Sequence, residues 1–327
     1  MKAIEIVGTG KDATLRLAEA PDPVAGPGEV LLDVAATAVN RADLLQRRGL
    51  YPPPPGASPI LGLECSGTVA ALGAGVTGWR RGDRVAALLP GGGYAEKAVA
   101  HAGSLLAVPR AMSLDEAGGL PEVFLTCSLN LFQLGGAARD GWALVHGGGS
   151  GVGTAAIQLL KHEGVRVIVT AGSDQKCRAC LELGADLALD YRELGGQFAR
   201  PVLEATGGRG VDLVLDSIGA SYLPQHLEAL AIGGRLVVIG LMGGARAEID
   251  LAALLRKRIT VVGSTLRARS PEEKAAIVAF FRDRFGAALE RGELRPIVHA
   301  VLPLADAQRA HDIVEASEHF GKVILRV

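Results

Sequence analysis

A glycine-rich turn between a short apolar strand and a helix constrains the fold of this chain more than any other feature. Residues 142–146 (WALVH) read as a strand, residues 147–153 (GGGSGVG) as the turn, and residues 154–160 (TAAIQLL) as the opening of a helix. The turn fits G-x-G-x-x-G from Gly148 to Gly153, with Ser150 at the middle glycine. Such a turn brings backbone N–H groups to a pyrophosphate at the positively polarised start of a helix. Glycine clusters also form ordinary turns, but the flanking strand and helix favour a dinucleotide site.

The length and charge of the chain limit what it can be. Its 327 residues exceed the roughly 250–300 residues that one hydrophobic core usually supports, which predicts two domains. The 34 basic and 35 acidic side chains nearly cancel, so no basic surface for nucleic acid or an anionic membrane is indicated. The uncharged run between Asp140 and Lys161 could cross a bilayer by length, but its glycine turn would leave backbone groups unsatisfied in lipid.

The beginning of the chain and its cysteines favour a cytoplasmic protein. The first residues carry charge and lack a secretory apolar region. Four cysteines do not make a disulfide framework in a chain of this length. Cys177 and Cys180 form a C-x-x-C without a second pair, so we interpret them as ordinary helix residues rather than as zinc ligands.

Short β-like segments separated by turn signals occupy the first part of the chain. They are residues 29–39, 67–72, 83–89 and 94–99. Such closely spaced strands predict a partly open, antiparallel β domain. Tyr51 begins the segment YPPPPG, which can be neither a helix nor a central strand. This segment is either a rigid surface loop or a semi-rigid wall over a cleft.

From about residue 122 onwards the pattern changes to alternating strands and helices. The predicted strands are residues 143–146, 166–171, 186–191, 212–217, 235–241 and 259–264. Helices at 154–163 and 176–183 lie between them, which predicts a doubly wound parallel sheet. A helix over 271–285 begins at the N-cap Ser270, and residues 321–327 form a last strand that returns to the β domain. The predicted fold is α/β, with a β-barrel-like catalytic domain at 1–122 and 268–327 and a Rossmann cofactor domain at 123–267.

Further segments of the sequence carry a family resemblance that covers essentially the whole chain. They are residues 40–51 (NRADLLQRRGLY), 61–69 (LGLECSGTV), 79–85 (WRRGDRV), 91–96 (GGGYAE) and 240–244 (GLMGG). With the glycine turn, they resemble the medium-chain dehydrogenase/reductase superfamily and, within it, the zinc-free quinone oxidoreductases. The closest resemblance is to the tumour-suppressor-inducible, zeta-crystallin-like subgroup. It implies a GroES-like N-terminal domain and the transfer of hydride from NADPH to a quinone.

The potential zinc ligands differ from those of the zinc-dependent relatives. Those relatives need a Cys where this chain has Asn40, and a Gly-His-Glu where it has Gly62-Leu63-Glu64. Leucine has no lone pair to give, and asparagine is a poor zinc ligand beside Cys or His. We therefore expect no metal. Without a Lewis acid an alcohol is not readily activated, so the acceptor of hydride should already be electrophilic.

The end of the second strand of the sheet bears on the choice of nicotinamide cofactor. NAD-binding proteins usually place an acid there to hold the ribose hydroxyls, whereas this chain reads GSDQK from Gly172 to Lys176. Asp174 is the only acid in reach, and it is also placed to face solvent in the first turn of a helix. The resemblance assigns Gly172, Ser173, Lys176 and Tyr191 to the 2′-phosphate of NADPH. Taken alone, Lys176 could equally be a solvent-exposed lysine of a helix with no part in cofactor binding.

The resemblance assigns the remaining site residues. Tyr51, Asn40 and Asp43 match positions that face the nicotinamide, and Tyr51 is either a hydrogen-bond donor to the acceptor oxygen or a packed loop tyrosine. Lys322 either reaches the phosphate region or is solvated. The other cofactor positions, besides Tyr51 and the four at the 2′-phosphate, are Thr126, Gly149, Ser150, Gly151, Val152, Ile218, Gly240, Leu241, Thr265 and Leu266.

Two alternatives to quinone reduction remain open. One is NADPH-dependent reduction of an activated C=C bond in an alkenal, an enone or an enoyl thioester, although no basic cluster stands near Tyr51 beyond Arg47 and Arg48. The other is an NADPH-binding structural or RNA-binding protein. We also expect a homodimer through the apolar strand at residues 258–264, because an exposed apolar edge strand tends to be paired.

Overall fold

The computed structural model describes residues 1–327 and divides into two compact units. Unit 1 contains Met1–Leu125 and Leu266–Val327, and unit 2 contains Thr126–Thr265. The predicted boundaries, after residues 122 and 267, lie a few residues away from these.

Fifteen strands and ten α-helices make up the two units. The strands are β1 (Lys2–Val7), β2 (Thr14–Glu19), β3 (Glu29–Ala38), β4 (Glu64–Leu72), β5 (Arg84–Leu88), β6 (Lys97–His101), β7 (Leu105–Ala107), β8 (Trp142–His146), β9 (Arg166–Ala171), β10 (Leu187–Asp190), β11 (Val211–Asp216), β12 (Leu230–Val238), β13 (Thr260–Gly263), β14 (Val298–Pro303) and β15 (Lys322–Arg326). The helices are α1 (Arg41–Arg47), α2 (Leu114–Ala117), α3 (Pro121–Cys127), α4 (Gly151–His162), α5 (Asp174–Glu182), α6 (Ala199–Ala205), α7 (Leu223–Ala229), α8 (Leu251–Lys257), α9 (Pro271–Glu290) and α10 (Ala307–Glu315).

The long strand β3 organises unit 1. One edge of β3 pairs with β4, and its other edge pairs with β6 along the first half and with β15 along the second. Seven strands join in this way, in the order β14-β15-β3-β4-β5-β7 with β6 beside β3, while β1 and β2 form a separate hairpin. The predicted return of the last strand to the β domain is confirmed, because residues 324–326 of β15 pair with residues 36–38 of β3.

The predicted strand at residues 94–99 is placed too early. Tyr94 and Glu96 bond to β1 instead, through Ile4 N to Tyr94 O and Glu96 N to Lys2 O. Only after Glu96 does the chain turn alongside β3 as β6. Apolar alternation alone does not distinguish pairing with one strand from pairing with another.

Unit 2 is a parallel sheet in the order β10-β9-β8-β11-β12-β13. Its central strands are buried on both faces, with Ala143, Leu144 and Val145 fully covered, as helices on both sides of a sheet require. The predicted Rossmann domain is confirmed. The strand order reverses between β8 and β11, and ligands of such sheets bind at the carboxyl ends of the strands near this point.

One unit 2 strand begins earlier than its residues suggest. β12 starts at Leu230 rather than at the predicted 235, and it contains Gly233 with φ 78°. The register with β11 shifts here, so the glycine lies at an irregularity inside the strand. A glycine pair at this point is easily taken for a turn.

Helix α9 begins where its sequence signals place it and ends later. Ser270 and Glu273 form a reciprocal capping box, and the helix continues past residue 285 to Glu290. Phe281 and Phe285 are fully buried. Neither this helix nor any other has an apolar stretch of the length that crossing a bilayer demands.

Candidate functional site

The glycine turn of unit 2 packs closely against the start of α4. Gly147 has φ 71°, and Ser150 caps α4 by accepting a hydrogen bond from Gly153 N at 3.0 Å. A Cβ on Gly153 would lie 2.3 Å from Gly147 O, so only glycine permits this close approach of helix and turn. The first N–H groups of a helix have no carbonyl partner within it. The N–H of Gly153 is taken by Ser150, and the start of α4 that follows the turn has the polarity that favours an anion.

The residues assigned to the 2′-phosphate lie together after β9 and β10. Ser173 is the N-cap of α5 and accepts from Lys176 N at 3.3 Å. A Cβ on Gly172 would lie 2.8 Å from the hydroxyl oxygen of Tyr191, so that hydroxyl packs directly against Gly172. Asp174 forms an exposed ion pair with Arg178 in the first turn of α5. The acid that the sequence offered for the ribose hydroxyls is therefore engaged with a cation of its own helix.

A second cation stands near Lys176, and the sequence interpretation missed it. The pKa of Lys176 is lowered, first by partial burial and then by the positive charge of Arg192. Arg192 follows Tyr191 in an irregular segment. Without a helical or strand periodicity there, the direction of its side chain could not be predicted. Its position two residues after the end of β10 was the available signal, because the carboxyl ends of neighbouring parallel strands meet at one edge.

Most other assigned cofactor residues follow the ends of the same parallel strands. Ile218 comes after β11 and donates its N–H to Asp216 Oδ1 at 2.7 Å. Gly240 and Leu241 follow β12, Thr265 follows β13, and Leu241 and Thr265 are exposed. Thr126 lies elsewhere, in α3 at the beginning of unit 2, and Leu266 is buried in unit 1.

In unit 1, Asn40 and Asp43 form the start of α1. Asn40 is the N-cap, and Asp43 Oδ2 accepts from Asn40 N at 2.8 Å, while Asp43 Oδ1 accepts from Gly62 N at 3.0 Å. Asp43 is fully buried, and this burial raises the pKa of its carboxyl to about 6. Its hydrogen bonds hold Asn40 and Gly62 in place, and no part of its side chain is open to a substrate.

Lys322 is not solvated. Its side chain is buried in unit 1, where Nζ lies 2.8 Å from Glu64 Oε1, 2.7 Å from Asn40 Oδ1 and 3.3 Å from Val39 O. Asn40 Nδ2 also donates to Glu64 Oε1, at 2.9 Å. The three side chains form a closed buried network whose cation is a lysine of the last strand.

Tyr51 and Glu122 are partly exposed side chains of unit 1. The pKa of Tyr51 is raised by burial and by the negative charge of Glu122, while Arg267 acts in the opposite direction. Burial, together with the neighbouring Glu64, raises the pKa of Glu122 to about 8. The residue pattern gave no indication of Glu122 or Arg267, and none that Glu64 lies beside Lys322, because their partners are distant in sequence.

Two histidines lie buried in unit 2 behind the glycine turn. His146 Nε2 and His226 Nε2 are 2.8 Å apart, His146 Nδ1 is 2.9 Å from the Thr170 hydroxyl, and Asp216 Oδ1 is 3.8 Å from His226 Nε2. His146, Asp216 and His226 are a set of possible metal ligands. Two imidazole nitrogens on one tetrahedral zinc stand about 3.3 Å apart, given Zn–N bonds of ~2.0–2.1 Å. The shorter observed spacing is that of a hydrogen-bonded histidine pair.

Known proteins share this architecture along the whole chain. Residues 26–110 match the family profile described as "Alcohol dehydrogenase GroES-like domain", and residues 151–282 match "Zinc-binding dehydrogenase". A solved mycobacterial quinone oxidoreductase is 35% identical with a TM-score of 0.85, and each chain is covered completely. The chain belongs to the medium-chain dehydrogenase/reductase superfamily.

Relatives with full coverage also include quinone oxidoreductases. The quinone oxidoreductase of Rattus norvegicus is 28% identical over 99% of this chain and 97% of its own length. The structure of Escherichia coli quinone oxidoreductase complexed with NADPH is 28% identical, with a TM-score of 0.88 and complete coverage of both chains. The predicted family and its GroES-like and Rossmann domains are confirmed.

Proposed function

We propose that this protein is an NADPH-dependent quinone oxidoreductase that works without zinc. The observation that carries the choice of cofactor is the pair of cations, Lys176 and Arg192, near Ser173 and Tyr191. When bound, NADPH supplies a hydride, which carries two electrons and one proton, and a second proton taken from water completes the reduction of a quinone to a hydroquinone. The similar E. coli enzyme, whose structure contains NADPH, supports the assignment.

The chain contributes binding and positioning to this reaction. In unit 2, the backbone N–H groups of Gly149, Gly151 and Val152 bind the pyrophosphate, while the N–H of Ser150 is held by Gly147 O. Ser173, Lys176 and Tyr191 bind the 2′-phosphate. In unit 1, Asn40 is fixed by its bonds to Glu64 and Lys322, and Tyr51 donates a hydrogen bond to the acceptor oxygen as negative charge develops there. Reduction of a quinone needs little more, because its product is aromatic.

Removing the Lys176 ammonium tests the choice of cofactor. We expect Lys176→Ala to weaken NADPH binding by roughly 1.5–3 kcal/mol, the value of a hydrogen bond to a charged group. NADH binding should hardly change, because NADH lacks the 2′-phosphate. Titration of both cofactors measures this, and Lys161→Ala, which removes the exposed partner of Asp186, is the matched control. Equal affinities for NADPH and NADH in the unmodified protein would contradict the proposal.

A panel of acceptors tests the reaction itself. NADPH oxidation is measured with ortho-quinones, para-quinones, alkenals and an enoyl thioester under identical conditions. Turnover highest with a quinone supports the proposed function. Preference for an alkenal or a thioester replaces it with C=C reduction, and tight NADPH binding without turnover of any acceptor replaces it with a structural role.

The groups that surround Asn40 support independence from zinc. Leu63 has no lone pair to offer, and the Asn40 and Glu64 oxygens that could hold a metal accept from the Lys322 ammonium at 2.7 and 2.8 Å. We expect prolonged chelation to leave quinone-dependent NADPH oxidation unchanged, with well under one zinc per chain by elemental analysis. Activity that is lost with chelator and restored by zinc would overturn this expectation.

The edge of the unit 2 sheet supports a homodimer. Strand β13 pairs with β12 on one side only, and Val261 on it is 46% exposed. Leu251 and Leu255 on the adjacent α8 are exposed as well. An apolar edge of this kind is an aggregation hazard unless a partner covers it, and a twofold-symmetric pairing with a second copy is the simplest solution.

The four cysteines are free thiols, which supports a cytoplasmic location.

Light scattering tests the dimer. We expect about twice the 33.7 kDa chain mass at micromolar concentration, and Val261→Lys should shift the protein to the monomer by placing a charge at the interface. Val301→Lys is the matched control, since Val301 is 38% exposed on β14, the edge strand of the unit 1 sheet. An unmodified protein of monomer mass would refute the interface.

A further inference from the structure

Arg267 is a buried cation in unit 1 that fixes the backbone around Tyr51. It is only 3% exposed. Its Nη1 donates to Tyr51 O at 3.2 Å, its Nε donates to Pro90 O at 2.7 Å, and its Nη2 donates to Gln46 Oε1 at 2.6 Å. The guanidinium carbon also lies 5.3 Å from the centre of the Tyr51 ring. A single side chain thus contacts both the backbone and the ring of Tyr51.

Neighbouring residues hold Arg267 and the Tyr51 loop in one arrangement. Lys274 Nζ donates to Arg267 O at 2.7 Å, and Lys274 is itself 6% exposed. Gln46, which accepts from Arg267, donates through Nε2 to Pro59 O at 2.9 Å. The loop that begins at Tyr51 is therefore tied at its start by Arg267 and near its end by Gln46.

The hydrogen-bond acceptors of Arg267 are all uncharged. They are two backbone carbonyls and one amide oxygen, so no carboxylate directly neutralises the guanidinium. Burying a cation without an ion-pair partner is costly, and a scaffold alone would not require it. The carboxyls of Asp43 and Glu122 act on the Arg267 charge without bonding to it, and the Tyr51 phenol acts on it as well. The guanidinium lies over the Tyr51 ring, where it stabilises negative charge on the phenol oxygen.

We propose that Arg267 is a positioning residue for Tyr51, which fixes the tyrosine and makes its hydroxyl a stronger hydrogen-bond donor to the acceptor oxygen. This inference rests on the proposed quinone reductase function. Two charged groups act on the Tyr51 phenol, and they oppose each other: Glu122 raises its pKa and Arg267 lowers it. Above the pKa of Glu122, about 8, where the phenol titrates, Arg267 therefore opposes the negative charge of this carboxyl; below it, Glu122 is mostly neutral and Arg267 is the main charge acting on the phenol.

A double-mutant cycle on kcat tests the coupling. We expect Tyr51→Phe to lower kcat about 100-fold and Arg267→Met to lower it about 10-fold. In the Tyr51→Phe background, Arg267→Met should have no further effect, and NADPH affinity should not change in either variant. Arg84→Met removes a guanidinium that bonds to Met112 O at 2.6 Å elsewhere in unit 1, and it should leave kcat unchanged.

The titration of the Tyr51 phenol is the second readout, taken as the ultraviolet difference between each protein and its Tyr51→Phe counterpart. Loss of Arg267 should raise the pKa of Tyr51, and Arg267→Lys, which keeps the charge, should restore most of the original value. If Arg267→Met does not fold, the cycle is run with Arg267→Lys, whose smaller loss of kcat should again vanish in the Tyr51→Phe background. An undiminished kcat effect in that background, or an unshifted phenol pKa, overturns the inference. If no quinone is turned over, the proposed function fails, while the phenol titration still decides the Arg267–Tyr51 coupling.

Discussion

Replacing Lys322 by methionine should lower the free energy of unfolding by about 3–5 kcal/mol, because it leaves a buried carboxylate without its cation. Glu64 is fully buried, and its Oε1 accepts from Lys322 Nζ at 2.8 Å. The remaining donors to Glu64 are neutral, namely Asn40 Nδ2 and the backbone N–H of Glu122, both at 2.9 Å. They satisfy hydrogen bonds, but they do not replace a unit of positive charge.

The same substitution at an exposed ion pair is the control for Lys322→Met. Lys161 pairs with Asp186 at 2.8 Å, and both side chains are about one-third exposed. Exposed pairs contribute about 0–1 kcal/mol, so Lys161→Met should hardly change the urea-unfolding midpoint. A loss of stability in Lys322→Met no larger than in Lys161→Met would show that Glu64 does not depend on the ammonium.

The position of Lys322 shows where sequence reasoning ends. Residues 321–327 predict a strand from their composition, and β15 is that strand. Its pairing with β3 brings residue 322 beside residues 40 and 64, and nothing local to any of the three specifies this long-range pairing. The ion pair therefore could not be predicted, although the strand could.

Unit 2 was more predictable than unit 1 for a physical reason. Strands buried on both faces are continuous apolar runs, and parallel strands all end at one edge, so residues after each run are brought together by the topology alone. The glycine turn was found in this way, and the family resemblance placed Ser173 and Tyr191 after the ends of the next two strands. In unit 1 the antiparallel strands exchange partners along their length, as β3 does, and Arg267 contacts loops that no periodicity aligns.

The beginning of α9 was predicted correctly because its capping residues are local, whereas α4 and α5 begin three and two residues before the predicted 154 and 176. Ser270, Pro271 and Glu273 begin α9, and every contact of this cap lies within one turn. The role of Asp43 was harder, because its carboxylate joins a local cap at Asn40 to the distant Gly62. A residue in a family motif can thus hold the site together without facing the substrate.

Acid should destabilise the protein through its buried histidines. Burial lowers the pKa of His226 to about 3, and the pKa of His146 falls well below its usual value for the same reason. Unfolding returns each imidazole to a pKa of about 6.5. Between pH 6.5 and 3 the unfolded chain therefore binds more protons than the folded one, and the free energy of unfolding falls as the pH falls.

Asp43 and Glu122 act in the opposite direction. Burial raises their pKa values to about 6 and about 8, so the folded state holds their protons more tightly than the unfolded state does. Their contribution to stability is present at low pH and is lost as the pH rises through those values. The effect of a buried histidine on stability is therefore measured as the difference in free energy of unfolding between the unmodified protein and a histidine variant, because both contain Asp43 and Glu122.

Replacing His226 by asparagine should make the stability less sensitive to acid. At pH 7.5 the variant is less stable, because the hydrogen bond to His146 at 2.8 Å is altered. A folded pKa of about 3 against an unfolded value of about 6.5 costs the unmodified protein about 2 kcal/mol by pH 5, and the variant escapes this cost. Urea unfolding should therefore show that the difference in free energy of unfolding between the unmodified protein and the variant is about 2 kcal/mol smaller at pH 5 than at pH 7.5. His299→Asn, at an exposed histidine, should keep a constant gap, and an equally constant gap for His226→Asn would mean that its imidazole is protonated in the folded protein.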